Sequence, residues 1–368
     1  MKQLTSQILA LWSDSRGVTA VTAAVSASML LSLAVLTIDA GQALVAKNEL
    51  HNVADAAALA GARELGVLYA GGPNGTPPPL PMAQQQNFVL SDPTPITTAV
   101  ENVATANYAR GVSITIDPGD IRIGDWDSVA KTFTQTPATP DAVSVTARRD
   151  GSANGPITTF LAGMIGINTV SVTSLATAAL TGTGSTLPGQ LDVPFGISSQ
   201  WFTNFGCNQP IRFYPTNSPV GCAGWHTFLD SPPNANTLKN IINGLIPTPP
   251  TYTTPGTQAG STELNFIGGN VASDLKFLQN LFDAKKGTDG DGNPNTWTVL
   301  VPVYQSSDCS NPNSPMMIVG YATTTITQVL APPAGQLVDA IVQCGLVDGG
   351  RGGGASFGTL GSIPGLVQ

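Results

Sequence analysis

The sequence predicts an α+β protein: an N-terminal transmembrane helix continuing into a stalk helix, a small α+β domain, and a mixed, strand-rich, disulfide-containing C-terminal domain. Three observations predict this. Val18 to Ile38 is a run without a single charge, and as a helix rising ~1.5 Å per residue it spans about 31 Å, the thickness of a hydrocarbon core. Helical spacing then persists beyond Asp39, with Leu50, Val53, Ala57 and Ala60 on one face and no proline before residue 73. From residue 112 onward, short alternating apolar segments separated by Gly and Pro take over.

Composition narrows the classes. Of 368 residues only 10% are charged, and 15 Lys and Arg are scattered among 23 acids for a net charge of −8. No basic patch exists for nucleic acid. Lys2, Arg16 and the amino terminus outweigh Asp14 on the short leading side, which places residues 1–16 in the cytoplasm and the bulk outside. A cleaved secretory signal would carry a shorter apolar region, of about 7–15 residues, ending at an A-x-A site. A retained single-pass anchor is the expectation, with membrane lipid around its first half. Small residues (Ala, Ser, Thr) fill that half and let another helix approach closely. The alanine-rich stripe that follows serves equally for packing on the next domain or for self-association.

The domain boundaries follow from composition. Residues 1–16 are the leader and 17–66 the transmembrane and stalk helix, with Gly66 as its C-terminal cap. Residues 67–98 are a Pro- and Gly-rich linker. Residues 99–182 form the α+β domain: a helix over Ala99 to Arg110, strands in 112–116, 121–126 and 142–147, a helix over 156–167 (PITTFLAGMIGI), and a strand in 169–180. Residues 183–345 form the extracytoplasmic C-terminal domain, with helices over 236–245 and 270–284 and strands over 297–304 and 316–330. Residues 346–368 are a tail too glycine-rich to be assigned order.

Cys207, Cys222, Cys309 and Cys344 all lie in that last domain. Without a CxxC pair and with only two histidines in the chain, they read as two disulfides formed in an oxidising compartment. Pairing in sequence order, Cys207 with Cys222 and Cys309 with Cys344, is the simplest of three connectivities. Its shorter loop would be worth about 3 kcal/mol in the chain-entropy model. A Cys222–His226 nucleophile pair needs a helix to bring the side chains together, and GCAGWHTF is interrupted by glycine. No GxSxG, HExxH or phosphate loop occurs, so no catalytic residue is assigned. Asp289, Asp291 and Asn293 copy the first positions of a calcium loop, but Pro294 stands where the loop needs Gly and Leu300 where it needs Glu. A solvated turn is favoured over calcium, and no other cofactor is expected.

The N-terminal third resembles the Tad domain of TadG-like Flp-pilus assembly proteins. The residues that carry the resemblance are RG at 16 and 17, the uncharged span, DAG at 39 to 41, and LHNVADAAALAGA at 50 to 62. DAVSVTARR and ITTFLAGMIGINTVSVTSLATAAL extend it to about residue 180. The resemblance implies a non-enzymatic protein of the bacterial inner membrane that meets pilus-assembly membrane proteins and pilin-like subunits. The metal-ion adhesion motif of some members, D-x-S-x-S, does not occur. Gly17 and Val18 flank the position at which a pilin-type signal is cut, but Thr22 stands where a filament subunit carries Glu. An uncut anchor is therefore expected, with a minor pilin-like subunit as the alternative. The reading from another class is a surface adhesin or ligand-binding envelope protein, with calcium at Asp289 and Asp291.

Overall fold

A computed structural model of the chain describes residues 15–70, 80, 85–206, 208–218, 220–268, 271–290 and 292–368. Its first element, helix α1 (Ser15–Ala70), is proline-free and has two different halves. From Gly17 to Ile38 its described side chains are all exposed. Beyond Asp39 one face is buried: Ala46, Leu50, Val53, Ala54, Ala57, Ala58, Ala62, Leu65 and Tyr69.

That face lies against helix α2 (Thr94–Thr105) and an antiparallel sheet of β1 (Ile121–Asp127), β2 (Thr132–Gln135), β3 (Ala142–Arg149) and β4 (Val172–Ala179). Strands β3 and β4 pair along their whole length, from Ala142 opposite Ala179 to Arg149 opposite Val172. Alternation along both puts Val143, Val145, Ala147, Ala176 and Ala178 under the helix, in one core with Ile96 and Val100 of α2. The alanine stripe of α1 is thus used within the chain, because small side chains let the helix backbone lie close to the sheet.

Three expectations for this half are corrected. Helix α2 begins at Thr94, with a proline in its first turn, and ends before a hairpin of Tyr108–Ala109 and Val112–Ser113. That hairpin turns on Arg110 (φ 52°) and Gly111 (φ 74°), the positive-φ pair a two-residue turn requires. Residues 156–167 are not a helix. Ile157–Thr158 pairs with Thr169–Val170, and only Ala162–Ile165 makes a short 3-10 turn between them. Gly66 does not end α1, which runs on to Ala70.

The second core is built on a mixed sheet. Its elements in chain order are β5 (Phe195–Ser198), helix α3 (Ser199–Asn204), β6 (Pro210–Tyr214), β7 (Ala223–Trp225), helix α4 (Ala235–Leu245), β8 (Glu263–Asn265), helix α5 (Leu275–Lys285), β9 (Trp297–Tyr304), β10 (Pro315–Leu330) and β11 (Leu337–Val342). The strand order is β6-β11-β10-β9-β5-β7, with β8 also on β10; β5 runs parallel to β9 and the other pairs are antiparallel. All eight residues of β9 are buried, as expected of a central strand covered on both faces. Helix α4, capped by the Asn234 side chain accepting from the Thr237 N–H (3.0 Å), buries Leu238, Ile241, Ile242 and Leu245. Helix α5 buries Leu275, Leu278, Leu281 and Phe282.

The glycine-rich tail is ordered. β12 (Leu346–Arg351) and β13 (Thr359–Ile363) run parallel, and β14 (Gly365–Leu366) adds a fifth strand to the first sheet, Gly365 opposite Ala179. Val347 is buried in the core beneath α1. A Cβ on Gly66 would stand 2.0 Å from the Ser362 carbonyl oxygen. The glycine that looks like a helix cap is the point where the tail backbone crosses the helix.

Candidate functional site at the base of the first helix

The exposed and buried halves of α1 meet at Asp39, which is only 8% exposed. Its carboxylate accepts three peptide N–H groups from a segment more than a hundred residues away: Phe160 to Oδ1 (2.7 Å), Leu161 to Oδ2 (3.1 Å) and Ala162 to Oδ2 (2.6 Å). A carboxylate with three backbone donors is a strong, charge-assisted clamp. It explains why PITTFLAGMIGI is a loop: a helix would spend these N–H groups on its own carbonyls. The loop is closed beneath by the Thr159 N–H on the Asn168 carbonyl (3.0 Å), the Thr159 hydroxyl on the Ile167 carbonyl (2.5 Å) and the Ile167 N–H on the Ala162 carbonyl (3.0 Å).

Further contacts hold α1 to the body. The Glu49 carboxylate accepts the Arg110 N–H (2.6 Å), and the Arg110 guanidinium donates to the Gln42 side chain (3.1 Å). His51 Nδ1 is 3.1 Å from the Ser174 hydroxyl on β4. At the far end the Tyr69 hydroxyl donates to the Pro140 carbonyl (3.0 Å). Beside it, the buried Gln85 amide nitrogen donates to the carbonyls of Tyr69, Leu80 and Val347 (3.3 Å each), while its oxygen accepts the Val347 N–H (2.7 Å). One side chain thereby ties the end of α1 to the tail.

The sequence-predicted residues fall elsewhere. Gly17 and Val18 lie on the exposed half of α1, and the Thr22 hydroxyl donates back to the Val18 carbonyl (2.6 Å), satisfied within the helix. Cys222 pairs with Cys309, not with Cys207, so the sequence-order connectivity is overturned. The pair joins the residue before β7 to the loop after β9, neighbours in space although 87 positions apart. Cys344 is also disulfide-bonded, and Cys207 lies outside the described residues. Cys222 is therefore no nucleophile, and His226 is fully buried between Phe228 and Phe266, where burial pushes its pKa down to about 3.

Asp289 accepts the Thr298 N–H, and the Asn293 side chain accepts the Asn295 N–H (3.0 Å); Asp291 lies outside the described residues. Among the described residues no group of three His, Cys, Asp or Glu gathers as metal ligands would. Asp141 lines a cleft with Phe202, Cys344 and Phe357. Burial pushes its carboxyl up to about 7, against the Trp126 N–H (2.7 Å), which favours the ionised form.

In the sequence Asp39 simply ends the uncharged run. Nothing in the chain around position 39 signals that its carboxylate is met by peptide N–H groups 121 to 123 positions away. Gln85, in a segment read as linker, gave no signal either.

This is the architecture of a protein whose first helix is both a candidate membrane span and a core element of the domain that follows. One helix of the described residues is long and apolar enough to cross a bilayer, with a mean hydropathy of 2.1 in its apolar window and none of that window buried. Residues 17–64 match the Tad family, Flp pilus-assembly TadE/G-like, and residues 83–178 match the Tad_C family, Tad-like Flp pilus-assembly. These two matches connect the N-terminal half of the chain with Flp pilus assembly. They point to a structural, non-catalytic role. No curated protein and no solved structure matches it.

Proposed function

We propose that this chain is a membrane-anchored, non-enzymatic component of a Tad/Flp-type pilus assembly machine, inserted once in the bacterial inner membrane with residues 1–16 in the cytoplasm. It acts by helix packing within the bilayer and by protein contacts outside it. The observation that carries this reading is the division of α1 at Asp39. Residues 17–38 present no buried described side chain, while the same helix beyond Asp39 is fully integrated in the Tad_C sheet. A soluble domain has no use for so long an apolar, unpacked helix.

The Cys222–Cys309 disulfide favours an oxidising, extracytoplasmic location for the bulk of the chain. With the alanine stripe packed inside the molecule, the surfaces left for pilin-like subunits or for self-association are those of residues 18–38 and the outer domain. Two measurements test the reading. Affinity purification from membranes is expected to recover pilus-assembly membrane proteins, and the intact mass is expected to start at Met1. Recovery of none of them, from cells that build the pilus, refutes the assembly role. A chain starting at Val18 replaces the anchor with a pilin-like subunit.

A further inference from the structure

The Asp39 clamp holds its loop at the level where the uncharged span ends. That loop belongs to a stretch without a charge from Gly151 to Leu191, and it presents apolar side chains outward: Phe160 is 71% exposed and Ile167 50%. On α1 just above, Leu44 and Val45 are 62% and 47% exposed. At ~1.5 Å per residue Leu44 stands about 9 Å beyond Ile38, at the outer margin of the headgroup zone that adds roughly 5–8 Å to each side of the hydrocarbon core. Arg110, held on Gln42 at about 6 Å beyond Ile38, places a cation at phosphate depth.

From this we infer that the loop 159–168 is a second membrane contact, inserting Phe160 and Ile167 into the lipid interface beside the span, with Asp39 as its positioning residue. The inference rests on the anchor reading above. Its occupant is the lipid surface, because Asp39, the residue that ends the uncharged exposed span, holds the loop by its backbone and so sets it at that level. The backbone suits that setting. The N–H groups of 159, 160, 161, 162, 166 and 167 are satisfied within the protein, so insertion leaves none of these donors stranded in a low-dielectric medium. A bilayer contact at this point would fix the tilt of the outer body relative to the membrane, which a single helix leaves free to rotate.

The test uses the full chain, natural disulfides intact, in phosphatidylcholine vesicles containing phosphatidylglycerol. Single nitroxide labels are introduced by Phe160→Cys, Ile167→Cys, Leu30→Cys within the span, and Val129→Cys on the fully exposed turn after β1. Collision with oxygen, which partitions into lipid, is compared with collision with an aqueous nickel chelate. Labels at 30, 160 and 167 are expected to favour oxygen several-fold and the label at 129 the chelate. If 30 favours oxygen while 160 and 167 behave as 129 does, the anchor stands and this inference falls. If 30 itself favours the chelate, the anchor reading fails and takes the inference with it. If 160 and 167 are shielded from both reagents, with spin–spin broadening that vanishes on dilution in lipid, a second copy covers the loop and the inference is overturned.

Discussion

Replacing Asp39 by alanine removes the acceptor that holds the N–H groups of Phe160, Leu161 and Ala162. Hydrogen bonds to a charged group contribute about 1.5–3 kcal/mol each, but they are not additive, and Phe160 and Leu161 are open enough to recruit water in the variant. Ala162 is buried, so its N–H keeps the full cost of an unmet donor, about 1–3 kcal/mol. A loss of about 2–4 kcal/mol against local opening follows for the loop, while the sheet beneath retains its own ladder. The assay is amide hydrogen exchange on the full chain in lipid nanodiscs. Exchange at 160–162 is expected to accelerate at least ~30-fold, because each 1.4 kcal/mol is a factor of about ten. Amides of β3 and β4 should be unaffected. Asp39→Asn keeps an acceptor but loses the charge and should fall between. Unchanged exchange at 160–162 in Asp39→Ala would refute the reasoning, since it would mean that the carboxylate does not hold the loop.

Four further outcomes are expected. Gly66→Ala drives a methyl into the Ser362 carbonyl, and overpacking of about 1–3 kcal/mol should outweigh the roughly 1 kcal/mol gained in helix propensity, releasing residues 359–366 to limited proteolysis. Gln85→Ala leaves the Val347 N–H unmet in a buried site and should cost about 1–3 kcal/mol in chemical denaturation, more than truncating the exposed Gln86. Opening Cys222–Cys309 with a double serine substitution releases a loop of 87 residues, worth about 4.6 kcal/mol in the chain-entropy model, and should lower the melting temperature of the outer domain. Asp141, raised to about 7 in the folded chain, stays protonated where the unfolded chain has already ionised. Its stabilisation is complete below about pH 4 and is lost as pH rises toward 7, at up to roughly 1.4 kcal/mol per unit. Asp141→Asn should flatten that part of the stability profile.

Strands were legible wherever burial imposed a period or a continuous apolar run. β1, β3, β4, β9 and β10 fall within three residues of the segments that alternation and β-branched content predict, because each packs its own side chains on a core. What escaped the sequence was set by distant partners. PITTFLAGMIGI has the composition of a helix, and the carboxylate that unwinds it lies 121 positions away. The tail reads as low complexity, yet its glycines allow backbone to meet backbone; a Cβ on Gly354 would stand 2.3 Å from the Thr183 carbonyl oxygen. Disulfide connectivity depends on which loops the sheet order brings together, and spacing along the chain carries no record of that. Of the candidate site, the uncharged span was plain from hydropathy, whereas the clamp needed the fold.

The strand Gly365–Leu366 closes the edge of a sheet that begins with residue 121, and Val347 completes a core begun by Ala46. Synthesis proceeds from the opposite direction. Until residues 346–366 are in place the first sheet has an open edge and an unfilled place beneath its helix, so the N-terminal module cannot reach its final stability until residue 366 has arrived. A chain lacking residues 346–366 would leave the edge of β4 unpaired and the place of Val347 empty, an open strand edge of the kind that pairs with other chains. The N-terminal module therefore folds to completion only after the intervening second core has been synthesised.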